Sequence, residues 1–278
     1  MKFTKMEGLG NDYIYVDLFT QDLGDADIGA LAKRVSDRHF GIGSDGLVLI
    51  GPSSCADCRM QMFNSDGSEA ELCGNAVRCI AKLMLDMGRS NGNEVSIETL
   101  AGRIVATIRD NTATQAHVAV DMGTPRLAPG DIPVDAAGER AVGIPLEAGG
   151  KTLLATCVSM GNPHCVVFVD EPTDELVHTT GPLLEGHVAF PNKTNVEFAE
   201  VIDREHVRMR VWERGAGETL ACGTGACATA VACVLNGLCD RHVFIDLLGG
   251  RLEIEWREDG HVQMTGPATI VFTGEIII

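Results

Sequence analysis

The sequence predicts an α+β protein built from two related domains. Short runs of alternating apolar residues, such as Val95 to Thr99, are typical of β-strands. Few segments show helical spacing, the clearest being Ala76 to Met87 with Gly88 as its stop. The second half of the chain also repeats landmarks of the first, which indicates two copies of one α+β unit related by a pseudo-two-fold.

The repeat is best seen in two Cys-Gly pairs, Cys73-Gly and Cys222-Gly, which lie 149 residues apart. Other landmarks keep nearly the same offset: Asn11 and Asn162, Asn64 and Glu213, Val95 and Val243, Gly102 and Gly250. A shared β-rich composition explains single matches, but not several anchors at one spacing. Corresponding residues are therefore expected to face each other across a cleft between domains, a common place for a ligand.

The remaining elements follow from the same patterns. Residues 123–150 are rich in Pro and Gly, which interrupts long elements but leaves room for a short strand, and the domain junction is placed near the start of this segment. The predicted helices are 28–36, 76–87 and the apolar stretch 226–235; the predicted strands are 13–17, 47–50, 59–63, 95–99, 103–108, 117–120, 166–170 and 207–212.

Composition excludes several classes of protein. The 278 residues carry a net charge of -17, which argues against a nucleic-acid partner or an anionic membrane surface. No apolar run approaches the roughly 20 residues of a membrane span, and the N-terminus lacks a signal-peptide core, so a cytoplasmic protein is expected. The ten cysteines are then expected to be reduced.

Cysteine usage leaves a second class of function open. Cys55 and Cys58 form a Cys-x-x-Cys pair that suits half of a zinc site, although no second pair accompanies it, and a thiol redox sensor is a further alternative. Six other cysteines are assigned to packing: Cys79, Cys157, Cys165, Cys227, Cys233 and Cys239. No metal or cofactor is expected.

Cys73 and Cys222 suit acid-base catalysis because each stands at a glycine-rich helix start. Free N–H groups there bind anions and lower the pKa of a nearby thiol from its usual value of about 8.5. Two such ends on one carboxylate stabilise an enediolate-like transition state. One thiolate then removes an α-proton from one face while the other thiol protonates the opposite face, which inverts the stereocentre.

Several motifs resemble those of the diaminopimelate epimerases, pyridoxal-phosphate-independent amino-acid racemases. They cover essentially the whole chain: Gly10-Asn-Asp, Asn64-x-Asp-Gly, Glu71-Leu-Cys-Gly-Asn-Ala, Gly161-Asn-Pro-His, Thr194-Asn-Val-Glu-Phe, Trp212-Glu-Arg-Gly and Ala221-Cys-Gly-Thr-Gly. The resemblance implies two domains, each an antiparallel β-barrel around a central helix. It also implies that the last strand returns to the first domain, so the predicted bounds are 1–120 with 267–278, and 121–266.

The resemblance also assigns roles to individual residues. Cys73 and Cys222 are the implied catalytic pair, and the reacting carboxylate is held by Gly74, Asn75, Gly223 and Thr224. The distal amino-acid group is bound by Asn11, Asn64, Asn162, Asn195, Glu213 and Arg214. Ser44 occupies a variable position that sometimes reaches the ligand, and Glu213 and His164 are candidates to assist proton transfer. The implied reaction interconverts LL- and meso-2,6-diaminopimelate in lysine and cell-wall precursor synthesis, without a cofactor, in a homodimer.

Structural alternatives remain for these residues. The four asparagines are also suited to capping turns, Arg214 to a surface ion pair, and His164 to a purely structural role. A racemase for proline, hydroxyproline or histidine is the alternative within the same class. Proline-racemase relatives typically carry Cys-Gly-His at the first thiol, whereas this chain has Cys73-Gly-Asn.

Overall fold

The computed structural model describes residues 1–70, 73–90 and 92–278 of the chain. It divides into two compact units, Met1–Asp121 with Thr265–Ile278, and Met122–Met264. These limits differ from the predicted domain bounds by at most two residues. Among the described residues, no helix has both the length and the apolar content that crossing a membrane requires.

Within the described residues, the first unit contains two helices, eight complete strands and most of a ninth. The helices are α1 (Ile28–Ser36) and α2 (Gly74–Asp86), both of which the sequence predicted. The strands are β1 (Lys2–Gly8), β2 (Asn11–Asp17), β3 (Gly46–Gly51), β4 (Cys58–Asn64), β5 (Glu69–Ala70), β6 (Glu94–Thr99), β7 (Gly102–Asn111), β8 (Gln115–Asp121) and β17 (Val262–Glu275), the last of which begins in the second unit.

Strand pairing closes the first unit into an eight-stranded barrel. The order is β1-β2-β3-β4-β6-β7-β8-β17, and β17 pairs back onto β1 from Lys2↔Glu275 to Glu7↔Thr269. Two pairings, β2–β3 and β4–β6, are parallel. The prediction of an antiparallel barrel did not include these two, but the α+β fold class is confirmed.

Helix α2 packs against β1, β6, β7 and β8 of this barrel. Its residues from Asn75 to Met84 are buried, including two charged ones. Arg78 Nε donates to Pro267 O at 3.0 Å, and Lys82 Nζ donates to Asp86 and Asn111 at 2.9 Å each. These contacts compensate the cost of taking charged side chains into an interior lined by strands.

The second unit contains two further helices and the remaining strands. The helices are α3 (Asp174–Glu185) and α4 (Gly223–Leu235), with a short 3₁₀ turn at Pro129–Asp131. The strands are β9 (Ile144–Ala148), β10 (Lys151–Ser159), β11 (Pro163–Phe168), β12 (Asn195–Val201), β13 (His206–Glu213), β14 (Gly217–Glu218), β15 (His242–Leu247) and β16 (Gly250–Trp256). Strand β9 is the short strand for which the Pro-rich segment left room.

The two units share one internal pairing order. Strands β11-β12-β13-β15-β16 repeat the order of β2-β3-β4-β6-β7. The parallel pairings β11–β12 and β13–β15 match β2–β3 and β4–β6. The sequence repeat therefore reports a structural repeat, and residues at equivalent offsets occupy equivalent places in the two units.

Helix α4 is the counterpart of α2 and is buried from Gly225 to Cys233. It packs against β10, β11, β12, β13, β15 and β16, which confirms that the apolar segment after Cys222 is a helix enclosed by strands.

Helix α3 was not predicted, because Gly181 and Pro182 inside it resemble helix breakers. Its start has ordinary signals, since the Thr173 hydroxyl accepts from Leu176 N at 3.3 Å and Asp174 and Glu175 follow in the first turn. A Cβ on Gly181 would lie 2.9 Å from Trp212, so this glycine allows the helix to pack closely on β13.

Candidate active site

Cys73 and Cys222 occupy the same local position, the N-cap of a buried helix. Both have extended backbones, with φ −138° and ψ 117° at Cys73 and φ −123° and ψ 108° at Cys222. Neither side chain caps its own helix, so Gly74 and Gly223 begin α2 and α4 with free backbone N–H groups. Each helix start thus combines a thiol with donors for an anion, as the sequence predicted.

In the first unit, Cys73 is partly exposed and its Sγ lies 3.7 Å from Tyr13 Oη. Asn75, in the first turn of α2, donates through Nδ2 to Asn11 Oδ1 at 2.6 Å. The buried Oδ1 of Asn75 has no hydrogen-bond partner among the described residues, so it is an acceptor available to a ligand. Glu71 and Leu72, which precede Cys73 in its motif, lie outside the described residues.

A strained turn places Asn11 at this position. Strands β1 and β2 pair directly at Gly8↔Asn11, which leaves Leu9 and Gly10 as a two-residue loop with φ of 58° and 85°. A left-handed conformation is costly for leucine. Strained non-glycine residues often occur near functional sites, and Lys193, with φ 57°, likewise lies two residues before Asn195.

An ionic cluster anchors the residue after Asn11. Asp12 pairs with the buried Lys5 and with Arg38, whose guanidinium is 2.7 Å from Asp12 and 2.9 Å from Asp45. Burial would raise the pKa of Asp12, but hydrogen bonds from Arg38 and Lys5 outweigh it and lower the pKa below its usual value. Asp12 therefore stays ionised and keeps the start of β2 attached to the loop before β3.

Ser44 and Asn64 both make local hydrogen bonds within the first unit. The buried Ser44 hydroxyl lies 3.1 Å from Ser36 Oγ and 2.9 Å from Gly46 O. Asn64 ends β4 and donates to Ser68 Oγ at 3.0 Å. Their predicted contacts with a ligand remain predictions.

In the second unit, a chain of hydrogen bonds runs from the thiol into the interior. Cys222 Sγ lies 3.5 Å from Thr224 Oγ1, which accepts from Asn162 Nδ2 at 3.3 Å. Asn162 Oδ1 is 3.0 Å from His164 Nε2, and His164 Nδ1 is 2.7 Å from Glu197 Oε1. Both His164 and Glu197 are fully buried. The structure thus brings together three of the predicted residues around Cys222 and adds Glu197.

Glu213 adds a second carboxyl group near Cys222. It accepts a short hydrogen bond from Thr219, and burial raises its pKa above the usual value. Burial also raises the pKa of Cys222 well above its usual value, and the negative charges of Glu213 and Glu197 add to this. Cys222 is therefore a protonated thiol at neutral pH, which suits the role of a proton donor.

Asn195 and Arg214 lie side by side at the ends of β12 and β13. Asn195 Oδ1 accepts from the Arg214 backbone N at 2.9 Å, and its Nδ2 donates to Pro163 O at 2.8 Å. The Arg214 guanidinium is exposed and donates only weakly, to Asn192 O at 3.2 Å. An exposed guanidinium held in this way can turn toward a carboxylate.

Glu197 is the member of this series of hydrogen bonds that sequence analysis did not single out. It appeared only as one letter of the motif Thr194-Asn-Val-Glu-Phe. The available signal was its position in the apolar strand β12, where the flanking Val196 and Phe198 are also buried. Glutamate is almost never fully buried without a partner.

The remaining cysteines show no arrangement for metal binding. Cys58 is buried and its pKa is raised to about 12, which opposes the thiolate that zinc needs, whereas Cys55 is exposed. Within the part of the chain that the structure describes, no group of three or more His, Cys, Asp or Glu side chains is placed to hold a metal ion.

Comparison with known proteins identifies the family. The diaminopimelate epimerase family model matches residues 3–128 and 156–271. A diaminopimelate epimerase of Acetivibrio thermocellus is 55% identical over 277 residues, covering 99% of this chain and 98% of the relative. One from Methanococcus maripaludis is 53% identical over 279 residues, with both chains fully covered.

Solved structures share the fold at low sequence identity. A phenazine biosynthesis protein of the PhzF family from Bacillus anthracis has a TM-score of 0.69 at 16% identity, covering 100% of this chain and 99% of that one. A hydroxyproline epimerase from Agrobacterium vitis has a TM-score of 0.66 at 16% identity, covering 99% and 90%. These likenesses establish the fold alone, but the full-length identity to the curated relatives establishes more. The chain belongs to the diaminopimelate epimerase family, a family of isomerases.

Proposed function

We propose that the protein interconverts LL- and meso-2,6-diaminopimelate by a two-base thiol mechanism that needs no cofactor. The main support for this proposal is that both units of a chain of this family place a cysteine at the N-cap of an enclosed helix. The product is a precursor of lysine and of the cell wall, which fits a cytoplasmic enzyme.

Cys73 and Cys222 exchange protons with the α-carbon. One thiolate removes the α-proton, the electron pair moves into the carboxylate to give an enediolate-like species, and the other thiol protonates the opposite face. Both thiols end with their protonation states exchanged, so the reverse reaction uses the same groups in the opposite roles. The buried Cys222, held protonated at rest, supplies the donor.

The helix starts bind the reacting carboxylate. Free backbone N–H groups of Gly74, Asn75, Gly223 and Thr224 carry partial positive charge, which strengthens as negative charge develops on the carboxylate. The unpartnered Asn75 Oδ1 is an acceptor, which suits an ammonium group of the substrate rather than a carboxylate.

The distal amino-acid group is assigned to the side chains around β12 and β13 together with their first-unit equivalents. Arg214 offers a planar fork for the distal carboxylate, and Asn195 and Glu213 lie beside it at the strand ends. Asn11, Asn64 and Asn162 complete this proposed set, and Ser44 is its least supported member, because its hydroxyl is already bonded within the fold.

Deuterium incorporation tests the proposal directly. The enzyme is incubated with LL-diaminopimelate in D₂O, and NMR and mass spectrometry follow deuterium at the α-carbon as the meso isomer forms. One deuterium in each product molecule at early times is expected, because the proton that enters comes from a thiol equilibrated with solvent. The same assay with proline, hydroxyproline and histidine is the control; turnover of one of these, with diaminopimelate inert, would replace the proposed substrate.

Two further assignments have their own measurements. If both thiols serve one α-carbon, mild oxidant should form a Cys73–Cys222 disulfide and abolish activity. Peptide mapping should find the two cysteine peptides joined before reduction and separate after it. Insensitivity to oxidant would contradict this geometry.

A homodimer is proposed from the family resemblance, and light scattering coupled to size exclusion would give twice the 29.6 kDa chain mass if it is right.

A further inference from the structure

Glu197 lies close to Cys222, although the hydrogen bonds that connect the two residues pass through three others, His164, Asn162 and Thr224. A Cβ added to Gly225, in the first turn of α4, would be 2.6 Å from Glu197 Oε1 and 3.3 Å from Cys222 Sγ. Both groups thus border the space that a side chain at position 225 would fill. The carboxyl group of Glu197 therefore shares the immediate surroundings of the thiol.

The hydrogen-bond partners of His164 determine how many protons the His164–Glu197 pair holds. His164 Nε2 faces the amide oxygen of Asn162, which can only accept, so Nε2 carries a hydrogen. His164 Nδ1 and Glu197 Oε1 are 2.7 Å apart, so one further proton lies between them. The pair is then imidazolium with carboxylate, or imidazole with carboxylic acid, and its net charge is zero in both forms.

Burial favours this shared proton. The second oxygen of Glu197, Oε2, is buried and has no hydrogen-bond partner among the described residues. A fully ionised carboxylate with one orphaned oxygen is costly in the interior, and a proton shared with His164 reduces that cost. Among the described residues, the other ionisable groups near Glu197 include Cys165, Cys222 and Glu213, none of which is a cation.

The shared proton determines whether the Thr224 hydroxyl can donate a hydrogen bond to the Cys222 sulfur. With His164 Nε2–H directed at Asn162 Oδ1, the Asn162 amide must direct its Nδ2–H at Thr224 Oγ1. Thr224 Oγ1 therefore accepts from Asn162 and has its own hydrogen left to donate to Cys222 Sγ, 3.5 Å away. If Asn162 were turned over, its oxygen would take the Thr224 hydrogen and the sulfur would lose this donor.

The first unit shows that the fold itself does not require this pair. Tyr13 follows Asn11 as His164 follows Asn162, and in the matching parallel strands Val48 lies opposite Tyr15 as Glu197 lies opposite Val166. Val48 is fully buried. The same architecture thus accommodates an apolar residue at the place of Glu197, which points to a role for the carboxyl group beyond stability.

We propose that Glu197 is a positioning residue for Cys222: it shares one buried proton with His164 and so orients Asn162 and Thr224 to hold a hydrogen-bond donor against the sulfur. This inference rests on the proposed thiol mechanism. It predicts that the donor stabilises the Cys222 thiolate each time Cys222 gives up its proton, without Glu197 touching the substrate.

Kinetics of Glu197→Val, which introduces the residue type found at the equivalent Val48, test the inference in the full-length enzyme. A valine cannot hold a proton against His164 Nδ1 or fix the His164 tautomer, so kcat should fall about 10- to 100-fold, the effect of losing one hydrogen bond to a charged group, while KM changes less than about twofold. The limb of the kcat/KM profile that reports the Cys222 proton should also shift, because the variant changes both the hydrogen bond to the sulfur and the charge near it. Glu200→Gln, on the same strand but paired with exposed Arg208, is the matched control and should change neither.

An independent measurement does not depend on activity or on the variant folding. In wild-type enzyme labelled with ¹⁵N-histidine, NMR should show His164 with a hydrogen on Nε2. A His164 with hydrogen on Nδ1 and a bare Nε2 would overturn the inference, because Asn162 would then be turned away from Thr224. An unchanged kcat and pH profile in folded Glu197→Val would also overturn it, whereas inactive wild-type enzyme would instead count against the proposed function.

Discussion

The two cysteine half-sites share a backbone and differ in their electrostatics. Cys73 and Cys222 are both extended N-cap residues of enclosed helices, and the contact Asn75–Asn11 in one unit corresponds to Thr224–Asn162 in the other. Among the described residues, the neighbours of Cys73 include the neutral Tyr13, whose hydroxyl lies 3.7 Å from the sulfur. Around Cys222 they are two buried carboxyl groups and a histidine.

In the proposed mechanism, this difference lets a repeated fold serve a nearly symmetric reaction with two distinct bases. At matching offsets, Asn64 corresponds to Glu213 and Tyr13 to His164, so one half-site uses neutral side chains where the other uses ionisable ones. The backbone supplies what both directions need, a thiol beside free N–H groups. The side chains then give each sulfur different neighbours.

Removing either thiol is the strongest test of this comparison. We expect Cys73→Ala and Cys222→Ala each to lower kcat about 10²- to 10⁴-fold, the range for loss of a general acid or base. Cys233→Ala, which shortens a buried thiol later in α4, should retain most activity. Near-normal turnover by either active-site variant, measured with both isomers as substrate, would exclude a two-base mechanism.

Gly225 and its counterpart Ala76 provide the next test. The Cβ of Gly225→Ala would collide with Glu197, so we expect unfolding to become easier by about 1–3 kcal/mol, with a fall in kcat. Ala76→Gly should cost about 1 kcal/mol as a helix substitution and leave kcat nearly unchanged. Urea denaturation and kinetics of the two variants measure this, and equal effects on kcat would mean that Glu197 does not distinguish the half-sites.

Glu213 should make stability depend on pH in a way that Asn64 does not. Because burial raises the folded pKa of Glu213 above its unfolded value, its contribution is complete below the unfolded pKa and is lost as pH rises through the folded pKa. Glu213→Gln should therefore be more stable than wild type at pH 7 and lose this advantage in acid, although it is less active. Urea titrations at several pH values test this, and Asn64→Ala should differ from wild type by a constant amount.

The smallest expected effect is that of Tyr13→Phe. This change removes a hydroxyl 3.7 Å from Cys73 Sγ, a weak contact to sulfur, so kcat should fall no more than a fewfold. A much larger loss, with unchanged circular dichroism, would mean that Tyr13 supports Cys73 as strongly as His164 and its partners support Cys222.

Much of the fold could be predicted because the repeat and the local signals agree. The helices at 28–36 and after Cys73 and Cys222 follow from apolar spacing, and the family prediction is confirmed. Helix α3 was missed because Gly181 packs against Trp212, a contact made 31 residues along the chain. Its breaker signals were real, but tertiary packing outweighed them.

The sequence by itself determined the two units, their paired thiols at helix starts and the family, because these depend on order and spacing along the chain. Only the tertiary structure decided how the two half-sites differ. The parallel pairing of β11 with β12 brings Glu197 to His164, 33 residues away in sequence. In the buried site that results, the two side chains form a hydrogen bond. Spacing along a sequence reports which side chains recur, whereas desolvation and proton sharing depend on neighbours that only folding supplies.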